Sequence, residues 1–139
     1  MARGNRQDQY AVSVVIDGVN TGVWDKMSGG EMSSEDTKYK PGAMAKQVSL
    51  GGSQNLDNVT VSRLFDLDRD NPNVKTWMNR CGKAPVVVTK QPLDHDGAAY
   101  GDPIVYGGTL LRCTPPEHDS ESSDAALLEI EVSTDGTIA

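Results

Sequence analysis

Asp66, Asp68, Asp70 and Asn71 have the residue types and spacing that open a calcium loop. An EF-hand loop also needs glycine at its sixth position and glutamate at its twelfth. Counted from Asp66, those positions hold Asn71 and Trp77. The spacing therefore favours a helix start, where Asp68 or Asp70 can accept backbone N–H bonds and favour the positive end of the helix. The histidines offer no better site. His95 stands between Asp94 and Asp96, His118 lies in a second acidic stretch, and no ligand spacing joins the two. No Gly-x-Ser-x-Gly elbow occurs, and Gly51-Gly52 lacks the following lysine and helix of a phosphate loop. Asn58-Val59-Thr60 fits a glycosylation sequon, but it falls inside a strand pattern and no apolar secretion segment precedes it. In such a chain Cys81 and Cys113 are expected as free thiols, although they could pair. No catalytic residue, metal or cofactor is expected, and the chain reads as a non-enzyme.

The elements around these residues follow from hydrophobic periodicity. Tyr10 to Ile16 is rich in β-branched residues and ends at Asp17-Gly18, a strong turn signal, with strand-like residues resuming at Thr21 to Asp25. Met27 to Met44 is polar, contains Gly29-Gly30 and closes at Pro41-Gly42, so it reads as a long loop or extended hairpin arm. Lys46 to Leu50 and Asn58 to Phe65 look like two further strands. Val59 and Val61 share one face, and Thr60 and Ser62 the other, as in a sheet with one face on a core. One helix is predicted over Asn71–Cys81, with Pro72 in its first turn, Val74, Trp77, Met78 and Cys81 at helical spacing, and Gly82 as its stop. Val86 to Lys90, Ile104 to Cys113 and Leu127 to Ser133 complete the strands. The fold class is mainly β: an antiparallel β-sandwich or half-barrel of seven or eight strands flanked by one α-helix. Trp24 and Trp77 are expected in its core.

Length and charge agree with one domain spanning residues 1–139, including the excursion at 27–44 and an acidic loop at 115–124. The net charge of −7 is unevenly spread. Residues 1–90 hold 12 Lys/Arg and 10 Asp/Glu, whereas residues 91–139 hold Arg112 alone against 10 Asp/Glu. The acidic third repels phosphate, which argues against tight nucleic-acid binding there. No apolar run approaches the ~20 residues of a membrane helix.

One ordered series of segments goes beyond a generic β-domain. DGVNTGVWDK (17–26) is followed by Gly29-Gly30-Glu31, Lys38-Tyr39-Lys40-Pro41-Gly42, Val48 to Gly52, Asn58 to Val61, and then the lone helix. This order resembles the tail tube proteins of tailed bacteriophages and of related contractile injection systems, over about Tyr10 to Ser133. The type VI secretion relative, the hemolysin-coregulated tube protein, shares that fold. The resemblance implies a structural subunit of a virion tail, made in the bacterial host cytoplasm. Six copies would close a ring, and rings would stack into a hollow conduit. Its partners would be other copies, a tape measure protein, a tail terminator, a baseplate and, in a contractile tail, a sheath. DNA would pass through the lumen without specific binding.

Within that picture Thr60, Ser62, Glu129 and Glu131 are the expected lumen-lining residues, because Leu128, Ile130 and Val132 alternate with the glutamates and claim the core face. The 27–44 loop is the expected assembly element. Glu31, Glu35, Asp36, Lys38 and Lys40 supply charges of both signs, and Tyr39, with Met27, Met32 and Met44, supplies apolar anchors. Two alternatives stand beside this reading. One is the inner tube of a contractile injection system that delivers protein effectors. The other is a small carbohydrate- or protein-binding β-sandwich with contacts at Trp24, Tyr39 and Tyr100.

Overall fold

The computed structural model describes residues 4–138. Its first half contains β1 (Tyr10–Ile16), β2 (Val19–Trp24), β3 (Lys26–Gly29), β4 (Met32–Ser34), β5 (Lys38–Tyr39), β6 (Val48–Ser49), β7 (Gln54–Leu56) and β8 (Val59–Leu64). There follow α1 (Asn71–Asn79), β9 (Pro85–Pro92), β10 (Ile104–Thr114) and β11 (Leu127–Ile138). Seven strands form one antiparallel sheet in the order β2, β1, β9, β10, β11, β8, β3. The sandwich-or-half-barrel expectation therefore resolves to a single curled sheet, a half-barrel, with one short helix.

Alternation decides which face turns inward. Val12, Val14 and Ile16 of β1, Val86 and Val88 of β9, Val59 and Val61 of β8, and Leu128, Ile130 and Val132 of β11 are all buried. Their intervening neighbours lie on the opposite face. The curl has a local cause. β2 and β3 are the two marginal strands of the sheet, yet only Asp25 separates them in sequence. The Asp25 N–H donates to Ser62 O at 3.0 Å, so the chain crosses from one margin to the other within one residue.

The helix is two residues shorter than predicted, ending at Asn79 with Arg80 as its C-cap. Its backbone then rises onto β10, where Gly82 N–H meets Leu110 O at 2.6 Å and Leu110 N–H meets Ala84 O at 2.9 Å. Asp70 is the N-cap residue and Pro72 lies in the first turn, as the sequence indicates, but the Asp70 carboxylate makes no capping bond. Trp24 and Trp77 are both buried in the core. Cys81 and Cys113 are free thiols, and burial, helped by the nearby Cys81, pushes the Cys113 thiol up to about 11.

The 27–44 excursion needs redrawing. Its first residues are β3, which belongs to the main sheet. Beyond Gly30 the chain runs out and back as two short ribbons, β4 paired with β7 and β5 paired with β6. The strand expected at Lys46 to Leu50 is thus the return side of an arm rather than part of the main sheet.

Two ends of the half-barrel are distinct. The β1–β2 turn, α1, the start of β9 and the 115–126 loop share one, here called the helix end, since Ile16 pairs with Val86 and Thr109 with Pro85. The 93–103 loop, the start of β1 and the arm share the other, the arm end, since Tyr10 pairs with Pro92 and Gly29 with Val59.

Candidate functional site

The register brings the four expected lumen residues together. Glu129 lies opposite Ser62 and Glu131 opposite Thr60, so all four occupy the sheet face that turns away from the core. β3 extends both rows, with Lys26 opposite Ser62 and Ser28 opposite Thr60. β10 extends them on the other side, with Thr114 opposite Glu129 and Arg112 opposite Glu131. Arg112 reaches both glutamates, at 3.0 Å to Glu129 Oε1 and 3.4 Å to Glu131 Oε2. The two acidic charges expected to stand alone are therefore both paired with Arg112, and Lys26 stands on the same face opposite Ser62. Towards β1 and β9 the same face carries only uncharged residues, such as Ser13 opposite Thr89 and Val15 opposite Val87. It is a broad surface of mixed polarity with little net charge.

The arm is built differently. Tyr106 of β10 donates its hydroxyl to Gly30 O at 3.1 Å and fixes the arm at its root. Gly30 has φ +79, and a Cβ there would stand 2.8 Å from the Tyr106 ring, so both the backbone angle and the close approach require glycine. Further out the contacts thin. Asp36 accepts from Ser49 Oγ at 3.0 Å and lies 3.9 Å from Lys38 Nζ. Tyr39 and Met44 are 61% and 97% exposed, which leaves them available as anchors. Met27 is not one of those anchors, because it packs against the core from β3. Trp24 is likewise unavailable as a ligand contact, being 2% exposed, whereas Tyr39 in β5 of the arm and Tyr100 in the 93–103 loop are exposed at separate places.

The largest departure from the sequence reading is a buried ion network. Arg63 follows Val59 and Val61 on the inward face of β8 and is 1% exposed. Its guanidinium carbon lies 4.3 Å from the centroid of the Trp24 ring, and its NH1 donates to Thr21 O. Its other terminal nitrogen bonds Asp70, which is completely buried. Arg69 bonds the same carboxylate from outside, at 3.0 Å to Oδ2, and donates to Leu64 O at 2.9 Å. Burial alone would raise the Asp70 carboxyl, but hydrogen bonds from Arg69, the Asp66 N–H and Arg63, with the Arg63 charge, hold it below the usual carboxylate range. Extending the period-two pattern of Val59 and Val61 by two residues would put position 63 inside. An arginine there was the signal for a buried partner. Asp66, in turn, accepts the N–H groups of Asp68 and Arg69 and shapes the turn before the helix. Of the aspartates that resemble a calcium loop, Asp66 and Asp70 are thus occupied in shaping the chain.

His95 Nδ1 lies 3.1 Å from Gln9 Nε2. Among the described residues no three His, Cys, Asp or Glu side chains converge as a metal site, and no helix is long and apolar enough to cross a membrane.

Comparison with known proteins adds the architecture's context. No protein-family model matches the chain, and no curated protein matches its sequence. Solved structures do match. A chain of the six-fold symmetrised cryo-EM structure of the anti-feeding prophage baseplate aligns over 100% of this chain and 96% of its own, with a TM-score of 0.71 at 12% identity. A chain of the anti-feeding prophage cap, described as tube-terminating, gives 0.69 at 15% identity, covering 100% of this chain and 93% of its own. A chain of the PVC extracellular contractile injection system, from its sheath-tube complex in the extended state, gives 0.66 at 17% identity, covering 96% and 88%. At such identities the likeness is one of overall fold, shared with chains found in phage-tail-like assemblies.

Proposed function

We propose that this chain is a structural subunit of a phage tail or phage-tail-like particle and that, within it, the chain forms the tube. Copies self-assemble into six-membered rings, and the rings stack into a hollow conduit. The observation that carries this reading is the near end-to-end match to chains of contractile injection assemblies, which leaves neither protein a large unmatched part. The face bearing Thr60, Ser62, Glu129 and Glu131 lines the lumen. Its balanced charges and its uncharged stretch over β1 and β9 suit a passage through which cargo slides without being held. The arm, with Glu31, Glu35, Asp36, Lys38, Tyr39 and Lys40, reaches neighbouring copies, because Tyr39 and Met44 are apolar groups left largely exposed by their own chain. Partners in the particle are the baseplate, the terminator, a tape measure protein and, where the tail contracts, a sheath.

The cargo separates two forms of this reading. DNA delivery makes the chain a phage tail tube. The inner tube of a protein-delivering injection system is favoured by one observation, that the matching structures named above are all of contractile injection particles or the anti-feeding prophage. Electron microscopy of concentrated purified protein tests both at once. Hollow cylinders on the ~100 Å scale are expected from six globules of this mass around a hole. A chain that stays monomeric at high concentration and gains thermal stability from a sugar or peptide would instead be a binding module.

A further inference from the structure

Cys81 and Cys113 are the only cysteines of the chain, and both are free thiols. The fold brings them to one place. The β9–β10 ladder ends with Pro85 opposite Thr109, and beyond that rung Leu110 N–H still reaches Ala84 O at 2.9 Å. Cys81 lies four residues before Pro85 and Cys113 four residues after Thr109, so an antiparallel register carries both away from the last rung in the same direction. Gly82, next to Cys81, keeps the two chains together there, its N–H donating to Leu110 O at 2.6 Å. A register shift between Leu110 and Arg112 then puts an extra residue into β10 and turns Cys113 to the same inward face as Leu110. Cys81 packs against that same core from the turn after α1.

The two sulfurs differ in access. Cys81 is half-buried, in a turn open to solvent on one side, and its Sγ makes one weak bond, to Trp77 O at 3.5 Å. Cys113 is buried in the core, and that burial, with Cys81 close by, pushes its thiol up to about 11. An outside oxidant therefore meets Cys81 first, and Cys113 is within reach of Cys81 rather than of solvent.

We propose that Cys81 and Cys113 are a latent disulfide, which ties the end of α1 to β10 when the protein meets a low-molecular-weight disulfide such as oxidised glutathione. The Cys81 thiolate attacks one sulfur of the oxidant, forms a mixed disulfide and releases one glutathione thiolate. Cys113, after losing its proton to water, attacks the Cys81 sulfur of that mixed disulfide and expels the second glutathione thiolate. Two protein thiols are oxidised to one cystine, one glutathione disulfide is reduced to two thiols, and the two protons end on the released glutathione. The second step is the slower, because Cys113 is rarely a thiolate. A cytosolic redox poise leaves the pair reduced, and an oxidising medium closes it. The closed bond makes a loop of residues 82–112. The inference concerns a single copy and stands apart from the tube reading.

Equilibration of the unaltered chain with set ratios of oxidised and reduced glutathione, followed by acid quenching and mass spectrometry, tests this. The expected product is lighter than the reduced chain by about 2 Da, runs as a single chain on a non-reducing gel, and yields a peptide pair joined through Cys81 and Cys113. Its equilibrium constant against glutathione should be about tenfold or more higher in buffer than in denaturing urea, because a crosslink that suits the fold stabilises it by the same factor. An equal or lower constant in buffer means that the fold holds the sulfurs apart, and overturns the inference. A reaction that stops at a Cys81 mixed disulfide with Cys113 still a thiol, or that gives only disulfide-linked dimers, also overturns it. Cys81→Ser, with circular dichroism as the check on folding, should leave Cys113 unmodified by oxidised glutathione. Modification of Cys113 in that folded variant as fast as in urea would show that Cys81 is not the entry point, and would overturn the proposed relay.

Discussion

The base of β8 and the arm that precedes it are made from neighbouring stretches of one chain, yet they are held by opposite means. Around Arg63 almost nothing reaches solvent. A guanidinium, an indole and a buried carboxylate lock β8, β2 and the helix entry together. Along the arm, two ribbons of two or three residues a side carry mostly exposed groups and one long ion pair. Isolated two-stranded ribbons are marginal in water, so the arm's shape depends on its root and on whatever it touches. The difference separates two tasks. The first region holds the fold together, and the second is the one the proposed assembly would use.

Substitutions should expose that division in order of size. Asp70→Asn leaves Arg63 buried without a counter-charge, and a loss of about 3–5 kcal/mol is expected in urea unfolding. The pH dependence follows from the lowered Asp70 carboxyl. Its contribution is complete above the unfolded value of about 3.9 and is lost as pH falls through the folded one. The stability gap between the unaltered chain and Asp70→Asn should therefore be constant above about pH 4 and close below it. An unaltered gap down to full acid unfolding would mean that Asp70 is not ionised in the fold. Next in size, Gly30→Ala forces a side chain into the left-handed region and against Tyr106, for a loss of roughly 1–3 kcal/mol and a misdirected arm. Smallest for the monomer, replacing residues 33–54 by a short turn should change unfolding by less than about 1 kcal/mol. The same replacement should abolish assembly. A shortened arm that still gives normal tubes would erase the comparison.

Legibility followed the same line. β1 was readable to the residue, because alternating apolar residues ending in Asp17-Gly18 leave one reading. The helix was readable because Pro72, Trp77 and Gly82 mark its start, its buried face and its stop. The arm was readable only as an excursion. Ribbons as short as Lys38–Tyr39 with Val48–Ser49 have no period to detect, and their pairing is set by the root rather than by local pattern. Arg63 shows another limit. The pattern of β8 continues to it, but its partner Asp70 stands seven residues on, in a different element, and spacing alone assigned that aspartate to the helix cap. Likewise Arg112 sits across a strand register that was not available from sequence, so the glutamates seemed to face the lumen unaccompanied.

The strand order also has a consequence for the order of folding. β11 follows the other described strands in sequence, yet it lies between β10 and β8 in the sheet. Until it arrives, β8 and β3 have no ladder joining them to β9 and β10, and the arm hangs from an unsupported pair. Contacts so distant in sequence form late, because their loops must close first. A nascent chain short of Leu127 would hold β1, β2, β9 and β10 together but present neither a complete Thr60–Glu131 face nor a seated arm. Emergence of β11 therefore completes the sheet: the face and the seated arm that the proposed assembly would use exist only once that strand has been inserted as the keystone.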